Sequence, residues 1–353
     1  MSRRALITGV TGQDGSFMAD LLLGKGYAVY GLSRRGESLS AAEPPGAGRI
    51  DLLGDLSDSA RLLDLVQQVR PHEVYHFGAQ ADSRISFSIP SYTADVTGLS
   101  TLRLLEAIQR VDRGIRFIQA SSCEIFGEAP APQHEGSPMN PRNPYGAAKL
   151  YAYHLARMYR ESQGLRCSSV ILYNHESHRR GEEHVARKIT RGIARILAGE
   201  QDALGLGRLE ARRDWGYAPD YIEVMWQLLQ REAPEDVVLG SGEDHSVGEF
   251  VEAAFAYAGL RHEGHVRTDP QQFRTSDGTV LRANRAKVSR LLGWSPRISF
   301  EALVKALVDA DLHLAGLDAP GEGFEAVRRA GLEWSLAGLV GQAAAAAPGG
   351  PAA

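Results

Sequence analysis

The turn Thr8-Gly9-Val10-Thr11-Gly12-Gln13-Asp14-Gly15 constrains this chain more than any other feature. It follows a short apolar run at 4–8 and opens a segment of helical spacing at 15–25. Glycines at 9, 12 and 15 permit a tight turn, let backbone approach a pyrophosphate and let helix pack close to strand. The helix N-terminus adds unpaired N–H groups and a positive dipole end. A glycine triplet alone specifies only a tight turn. Strand, loop and helix in this order make a dinucleotide site the expectation, built from Gly9, Thr11, Gly12, Gln13, Asp14 and Gly15.

The same alternation continues. Apolar runs of strand length at 27–32, 73–77, 115–121 and 168–173 alternate with helical patterns at 56–69, 95–110 and 145–163. Repeated βα units with near-continuous apolar strands predict an α/β fold, a doubly wound parallel sheet of the Rossmann type. Beyond Asn174 the segments shorten and become arginine-rich, as in a smaller C-terminal substrate-binding lobe. A helix near 221–230 and a strand at 236–239 predict a return to the main sheet. The expected division is a dinucleotide-binding domain over 1–173, with 214–242 returning to it, and mainly a substrate lobe over 174–342. Pro44-Pro45-Gly46 marks a loop, and the low-complexity segment 343–353 is expected to be a disordered tail.

Composition narrows the function. Of 353 residues, 43% are hydrophobic and 23% charged, enough to build a sizeable core. A formal net charge of −4 gives no pull towards nucleic acid or anionic membrane. Two cysteines, Cys123 and Cys167, are too few for a disulfide scaffold and fit a reducing cytosol. No apolar run approaches membrane-spanning length, and the N-terminal run is too short for a signal peptide. A soluble, cytoplasmic protein is therefore expected. Histidines, cysteines and carboxylates show no ligand spacing, so no metal is expected.

The second strand ends in Ser33-Arg34-Arg35 where an NAD site carries an acid. A guanidinium pairs with a 2′-phosphate and stacks on adenine, so Arg34 and Arg35 favour NADP. The alternative is a solvated arginine pair in a chain where arginine outnumbers lysine 34 to 5.

Tyr145-Gly146-Ala147-Ala148-Lys149 sets a phenol and an ammonium four apart on one helix face. A nearby ammonium and a cationic nicotinamide both lower a phenol pKa, making tyrosinate available as a base. Upstream, a strand runs into Ser122-Cys123-Glu124, and strand carboxyl ends face the ligand crevice. Ser122 can hydrogen-bond a reacting hydroxyl, and Glu124 can accept a proton. A carboxylate beside an alcohol-oxidising set points to proton transfer from carbon in addition to a hydride step. The competing reading of Ser122 and Glu124 is helix capping.

These residues, with the strings ITGVTGQDGSF, YTADVTGLSTLRLLEAI, PYGAAKLYAY, YNHESHRRG, ARKITR and RRDWGYAPDYIEVMW, resemble the extended short-chain dehydrogenase/reductases. Within them the chain resembles the GDP-mannose 4,6-dehydratase family over roughly residues 5–230. That resemblance implies C4 oxidation by way of Tyr145, loss of the C5 proton to Glu124, departure of water from C6 and hydride return to C6. It adds Asp55, Leu56, Gly78, Ala79, Gln80, His175 and Arg180 to the cofactor site. It assigns Asn174, Glu176, Lys188, Arg213, Arg274 and Asp277 to a nucleotide-sugar substrate, a GDP-hexose in the first instance. It also implies a homodimer or homotetramer.

Departures from the family cluster near the chemistry. Cys123 stands where the family has serine, and is either an acid for water loss or a serine-sized replacement. Ala81-Asp82 replace Ser-His, adding a carboxylate at the sugar rim. Arg274-Thr275-Ser276-Asp277 replaces Arg-Pro-x-Glu. A 5,6-dehydratase or 3,5-epimerase sharing the C4 oxidation, and a non-catalytic NADP-binding scaffold, are the competing readings.

Overall fold

Residues 2–34, 48–272 and 280–339 are described by a computed structural model. Seven strands form one parallel sheet: β1 (Arg4–Thr8), β2 (Ala28–Ser33), β3 (Arg49–Leu53), β4 (Glu73–His76), β5 (Arg116–Ser122), β6 (Arg166–Leu172) and β7 (Val237–Leu239). Their spatial order is 3-2-1-4-5-6-7, so the winding reverses between β1 and β4. A ligand crevice opens at such a reversal, outside the strand carboxyl ends.

Nine helices carry the rest of the argument. Along the chain they are α1 (Gln13–Gly24), α2 (Ser59–Val69), α3 (Ser100–Val111), α4 (Pro144–Gln163) and α5 (Val185–Leu197). After them come α6 (Ala218–Gln230), α7 (Val247–Tyr257), α8 (Phe300–Leu314) and α9 (Glu322–Arg329). On one face of the sheet, Phe17 and Leu22 of α1 and Met225 and Leu228 of α6 pack over Ile7, Ile118 and Val170. On the other, Leu62 of α2, Leu104 and Ile108 of α3 and Leu155 of α4 cover Leu6, Val74 and Phe117. Neighbours such as Leu6 and Ile7 are both buried because both sheet faces are covered, which is why the strands read as continuous apolar runs.

A separate core joins Ile189 and Ile193 of α5, Phe250 and Phe255 of α7, Leu303 and Leu307 of α8 and Val327 of α9. Buried polar groups hold its geometry. Arg187 and Asp311 pair at 2.7 Å inside it. Asp309 accepts the N–H groups of Gly321 and Gly323 at 3.0 and 2.8 Å, capping α9 against α8. Asp214, fully buried, ties the segment after β7 down by accepting from Ser241, Gly242 and Ala283 backbone N–H groups.

Three differences from the sequence expectation have physical causes. β3 was not foreseen, because it is an edge strand with Ile50 and Leu53 49% and 59% exposed, and edge strands lack the buried apolar run. Helix α2 begins at Ser59, three residues later than the pattern, where Asp58 accepts the Arg61 N–H at 2.9 Å. The single helix expected at 95–110 is interrupted: Ala94–Leu99 forms a π-helical turn, and α3 begins at Ser100. That wider turn presses Gly98 onto α4, where a Cβ would lie 3.3 Å from the Ala148 carbonyl. The Pro44–Gly46 loop and the tail 343–353 fall outside the described residues.

Candidate active site

The glycine loop is closely packed. Gly9 has φ +67°, and a Cβ on it would lie 2.8 Å from Gly78 N; one on Gly15 would lie 2.2 Å from Gly9 O. The cap position of α1 is Gly12, which offers no side chain, and Ser16 N–H is bonded to Gly12 O. The helix end therefore keeps donors for an anion. Beside it lies a cavity of about 280 Å³. Of the expected cofactor residues, Gly9, Thr11, Gly12, Gln13, Asp14 and Gly15 line it, as do Arg34, Asp55, Leu56, Gly78, Ala79 and Arg180. Gln80 does not; its N–H is held by Thr97 at 3.1 Å. Tyr92 and Val96 were missed, although they stand in the quoted YTADV string. Tyr92 hydroxyl bonds the Arg34 guanidinium, and the π turn carries Val96 inward. Arg35 lies outside the described residues.

The loop is tied to the segment after β6. His175 Nδ1 meets the Tyr173 carbonyl at 2.7 Å, and its Nε2 lies 3.0 Å from both Asp14 oxygens. Burial alone disfavours both charges. The pair offsets it: Asp14 is held at about 2 by His175 and then Arg180, and His175 is raised above its ordinary value. Gln13 Nε2 also donates to the His175 carbonyl, and its Oε1 accepts from Ser177. His175 lines the catalytic cavity rather than the cofactor cavity, so it acts on the loop through Asp14.

That catalytic cavity, about 140 Å³, gathers Ser122, Cys123, Glu124, Tyr145 and Lys149. β5 delivers the first three at its carboxyl end, and Asn143 caps α4 so that Tyr145 and Lys149 face them. Lys149 Nζ donates to the Ala120 carbonyl at 2.6 Å and lies 5.8 Å from the Tyr145 ring centre. Burial pushes Lys149 down to about 8, against a smaller upward pull from Asp14. Burial also pushes the Tyr145 phenol well above its ordinary value; the Ser122 hydrogen bond lowers it, Glu124 raises it and Arg180 lowers it. Ser122 and Arg180 are the groups that pull the phenol back down here, and the Lys149 ammonium is held at the Ala120 carbonyl. Glu124 accepts from Asn143 Nδ2 at 2.9 Å. Burial, then Glu124 and Asp214, hold the Cys123 thiol far above its ordinary value, and it packs with Ile125, Phe126 and Tyr173. Asp82, Ser83 and His184 complete the wall.

A third cavity of about 420 Å³ continues outward past Asn174, which lines both. Glu176, Lys188 and Arg213 line it, joined by Arg84, His184 and Gln272. Lys188 Nζ donates to Gln272 Oε1 at 2.6 Å. Glu176 is buried beside Arg180 at 3.5 Å, and burial raises its pKa. Arg274 and Asp277 lie outside the described residues. Among the described residues no helix is long and apolar enough to cross a membrane, and no cluster of metal-ligating side chains occurs.

Sheet order, glycine loop and the Ser122–Tyr145–Lys149 set place this chain among the extended short-chain dehydrogenase/reductases. Comparison with known proteins is more particular. The family model for GDP-mannose 4,6 dehydratase matches residues 6–307. GDP-mannose 4,6 dehydratase 1 of Arabidopsis thaliana is 45% identical over 325 residues, covering 88% of this chain and 90% of the plant protein. Among solved structures, UDP-glucose 4-epimerase of Thermus thermophilus in complex with NAD superposes with a TM-score of 0.76 at 27% identity, over 87% of this chain and 98% of that one. RMD of Pseudomonas aeruginosa, complexed with NADPH, gives 0.71 at 25%, over 88% and 99%. The chain belongs to the GDP-mannose 4,6-dehydratase family.

Proposed function

We propose that the protein is an NADP-dependent lyase that converts GDP-mannose to GDP-4-keto-6-deoxymannose. One observation carries this reading: a proton acceptor for carbon, Glu124, shares a cavity with the alcohol-handling residues Ser122, Tyr145 and Lys149. Family membership and the 45% identity to the plant relative over 88% of this chain support GDP-mannose as the substrate. A nicotinamide cofactor is supported by the packed glycine loop and by relatives solved with NAD and NADPH. Arg34, in the wall of that cavity with no acid at the end of β2, favours the 2′-phosphate form. Residues 1–173 with 214–242 form the cofactor side in this reading, and 174–342 the nucleotide-sugar side. A homodimer or homotetramer is the assembly that the family resemblance implies for this reading.

The chemistry that the nicotinamide supplies when bound is a reversible hydride acceptor. Tyr145, in the tyrosinate form that the positive charge of an oxidised nicotinamide would favour, takes the proton of the sugar 4-hydroxyl while Ser122 holds that oxygen. With C4 a ketone, the C5 proton is acidic, and Glu124 removes it. The same carboxyl, now protonated, returns that proton to the C6 oxygen as the C6–O bond breaks and water leaves. One carboxyl serves both transfers of the elimination. Solvent then re-protonates it, it gives C5 its proton as hydride returns to C6, and Tyr145 releases the 4-hydroxyl proton to solvent, so the atoms balance without a second acid. Cys123, a neutral thiol packed among aromatics, fills space in this scheme. Asn174, Lys188 and Arg213 hold the nucleotide side, where cations suit a diphosphate.

Incubation with NADP and GDP-mannose, followed by mass spectrometry and proton NMR, tests the reading. Loss of one water with a new methyl doublet is expected. Vinylic protons would instead indicate 5,6-elimination, retention of the water with an altered ring would indicate epimerisation, and no turnover of any nucleotide sugar would leave a scaffold.

A further inference from the structure

Asp82 belongs to the loop that leaves β4, and it lines the cavity that holds Ser122, Glu124 and Tyr145. Its two oxygens have different surroundings. Oδ1 accepts the N–H groups of Arg84 and Ile85 at 2.8 and 3.2 Å, capping the short 3₁₀ turn Ile85–Phe87. These two hydrogen bonds fix the carboxylate, whose side chain is 15% exposed. Oδ2 accepts no hydrogen bond among the described residues, and the nearest cation, Arg84 Nη2, stands 3.9 Å away.

The other two carboxylates of this cavity are engaged differently. Asp14 is paired with His175, and Glu124 accepts from Asn143 while serving the carbon proton. Asp82 therefore offers the one carboxylate oxygen in the cavity wall, among the described residues, that is preorganised by the backbone and not already bonded. Hydroxyl groups are the donors such an oxygen takes, and a bond to a charged acceptor is among the stronger ones. With the 4-hydroxyl assigned to Ser122 and Tyr145, and C5 and C6 to Glu124, the hydroxyls left for Asp82 are those on C2 and C3.

We propose that Asp82 is a specificity-determining residue, accepting a hydrogen bond from the 2- or 3-hydroxyl of the hexose. The inference rests on the nucleotide-sugar reading of the site. The same loop then serves both parts of the substrate, because Arg84, two residues on, lines the outer cavity with Lys188.

Asp82→Asn and Asp82→Ser separate this role from capping, since Asn and Ser both cap a turn as well as Asp does. The full chain and both variants are compared for KM and kcat on GDP-mannose, for inhibition by GDP alone, and for turnover of GDP-2-deoxymannose and GDP-3-deoxymannose. A rise in KM of about tenfold or more is expected, with GDP inhibition unchanged. On the deoxy analogue that lacks the bonded hydroxyl, wild type and variants should be alike. An unchanged KM in both variants overturns the inference, as does an equal loss of GDP binding, which would make Asp82 only a support for the loop. Failure of the wild-type protein to act on GDP-mannose would strike the proposed function instead, so the two failures are distinguishable.

Discussion

His175 Nε2 sits 3.0 Å from each carboxylate oxygen of Asp14, bridging the first helical turn to a residue 161 positions later. This buried ion pair ties the glycine loop to the segment that follows β6. Its pH dependence follows from the two shifts. Asp14 is depressed to about 2, so its contribution is complete above the ordinary carboxylate range and is lost as pH falls towards 2. His175 is raised, so its contribution is complete below about 6.5 and is lost as pH rises through its folded value. Asp14→Asn should therefore lower the unfolding midpoint most between about pH 4 and 6.5. Thermal unfolding of both proteins across pH 3–9 checks this, and a pH-independent difference would contradict it.

In the proposed function, Lys149 sets activity against stability. Its folded value near 8 lies below that of an exposed lysine, so burial of the charge opposes folding below pH 8 and the opposition fades as pH rises towards 10.5. Lys149→Met should stabilise the fold at pH 7 by up to about 3 kcal/mol. It should also cut kcat by about 100-fold or more, because the catalytic wall loses its ammonium. Denaturant midpoints and steady-state kinetics measure the two effects on one preparation.

Cys123 and Cys167 are both buried, and burial raises both thiols. Neither should react with maleimide at pH 8 in the folded protein, and both should react in denaturant. Cys123→Ser should leave kcat within about threefold, as a space-filling role requires. A loss near 100-fold would instead make the thiol the acid for water departure.

Arg34 lines the cofactor cavity and is held by the Tyr92 hydroxyl. Arg34→Ser should weaken NADP binding by about tenfold and leave NAD binding nearly unchanged, since a cation–phosphate bond is worth roughly 1.5–3 kcal/mol. Titration of both cofactors by fluorescence or calorimetry decides it.

The Arg187–Asp311 pair lies inside the C-terminal core and tests buried charge there. Asp311→Ala alone should cost about 3–5 kcal/mol by leaving a guanidinium unpaired. Arg187→Met with Asp311→Leu should recover most of that loss. Chemical denaturation of the single and double variants completes the cycle.

Much of this protein was legible in its sequence because the signals are local. The Gly9–Gly15 turn, the continuous apolar strands and the Tyr145–Lys149 spacing depend on backbone geometry and on helical or strand period, and both are written within a few residues. The 3-2-1-4-5-6-7 sheet and the gathering of Ser122, Glu124 and Tyr145 follow from those local rules and right-handed crossovers.

What only the tertiary structure decided lies in long-range pairings that leave no local pattern. Edge strand β3, with exposed Ile50 and Leu53, is a strand because β2 is beside it. The π turn at Ala94–Leu99 exists where Gly98 meets Ala148, fifty residues away in sequence. Lys149 reads in sequence as a partner for Tyr145, yet its strongest bond is to the Ala120 carbonyl, and its low pKa comes from burial. Asp82 reads as one more loop acid until the fold sets its carboxylate in the catalytic wall. Desolvation and charge pairing depend on which groups surround an atom in space, and chain neighbours supply only a few of those.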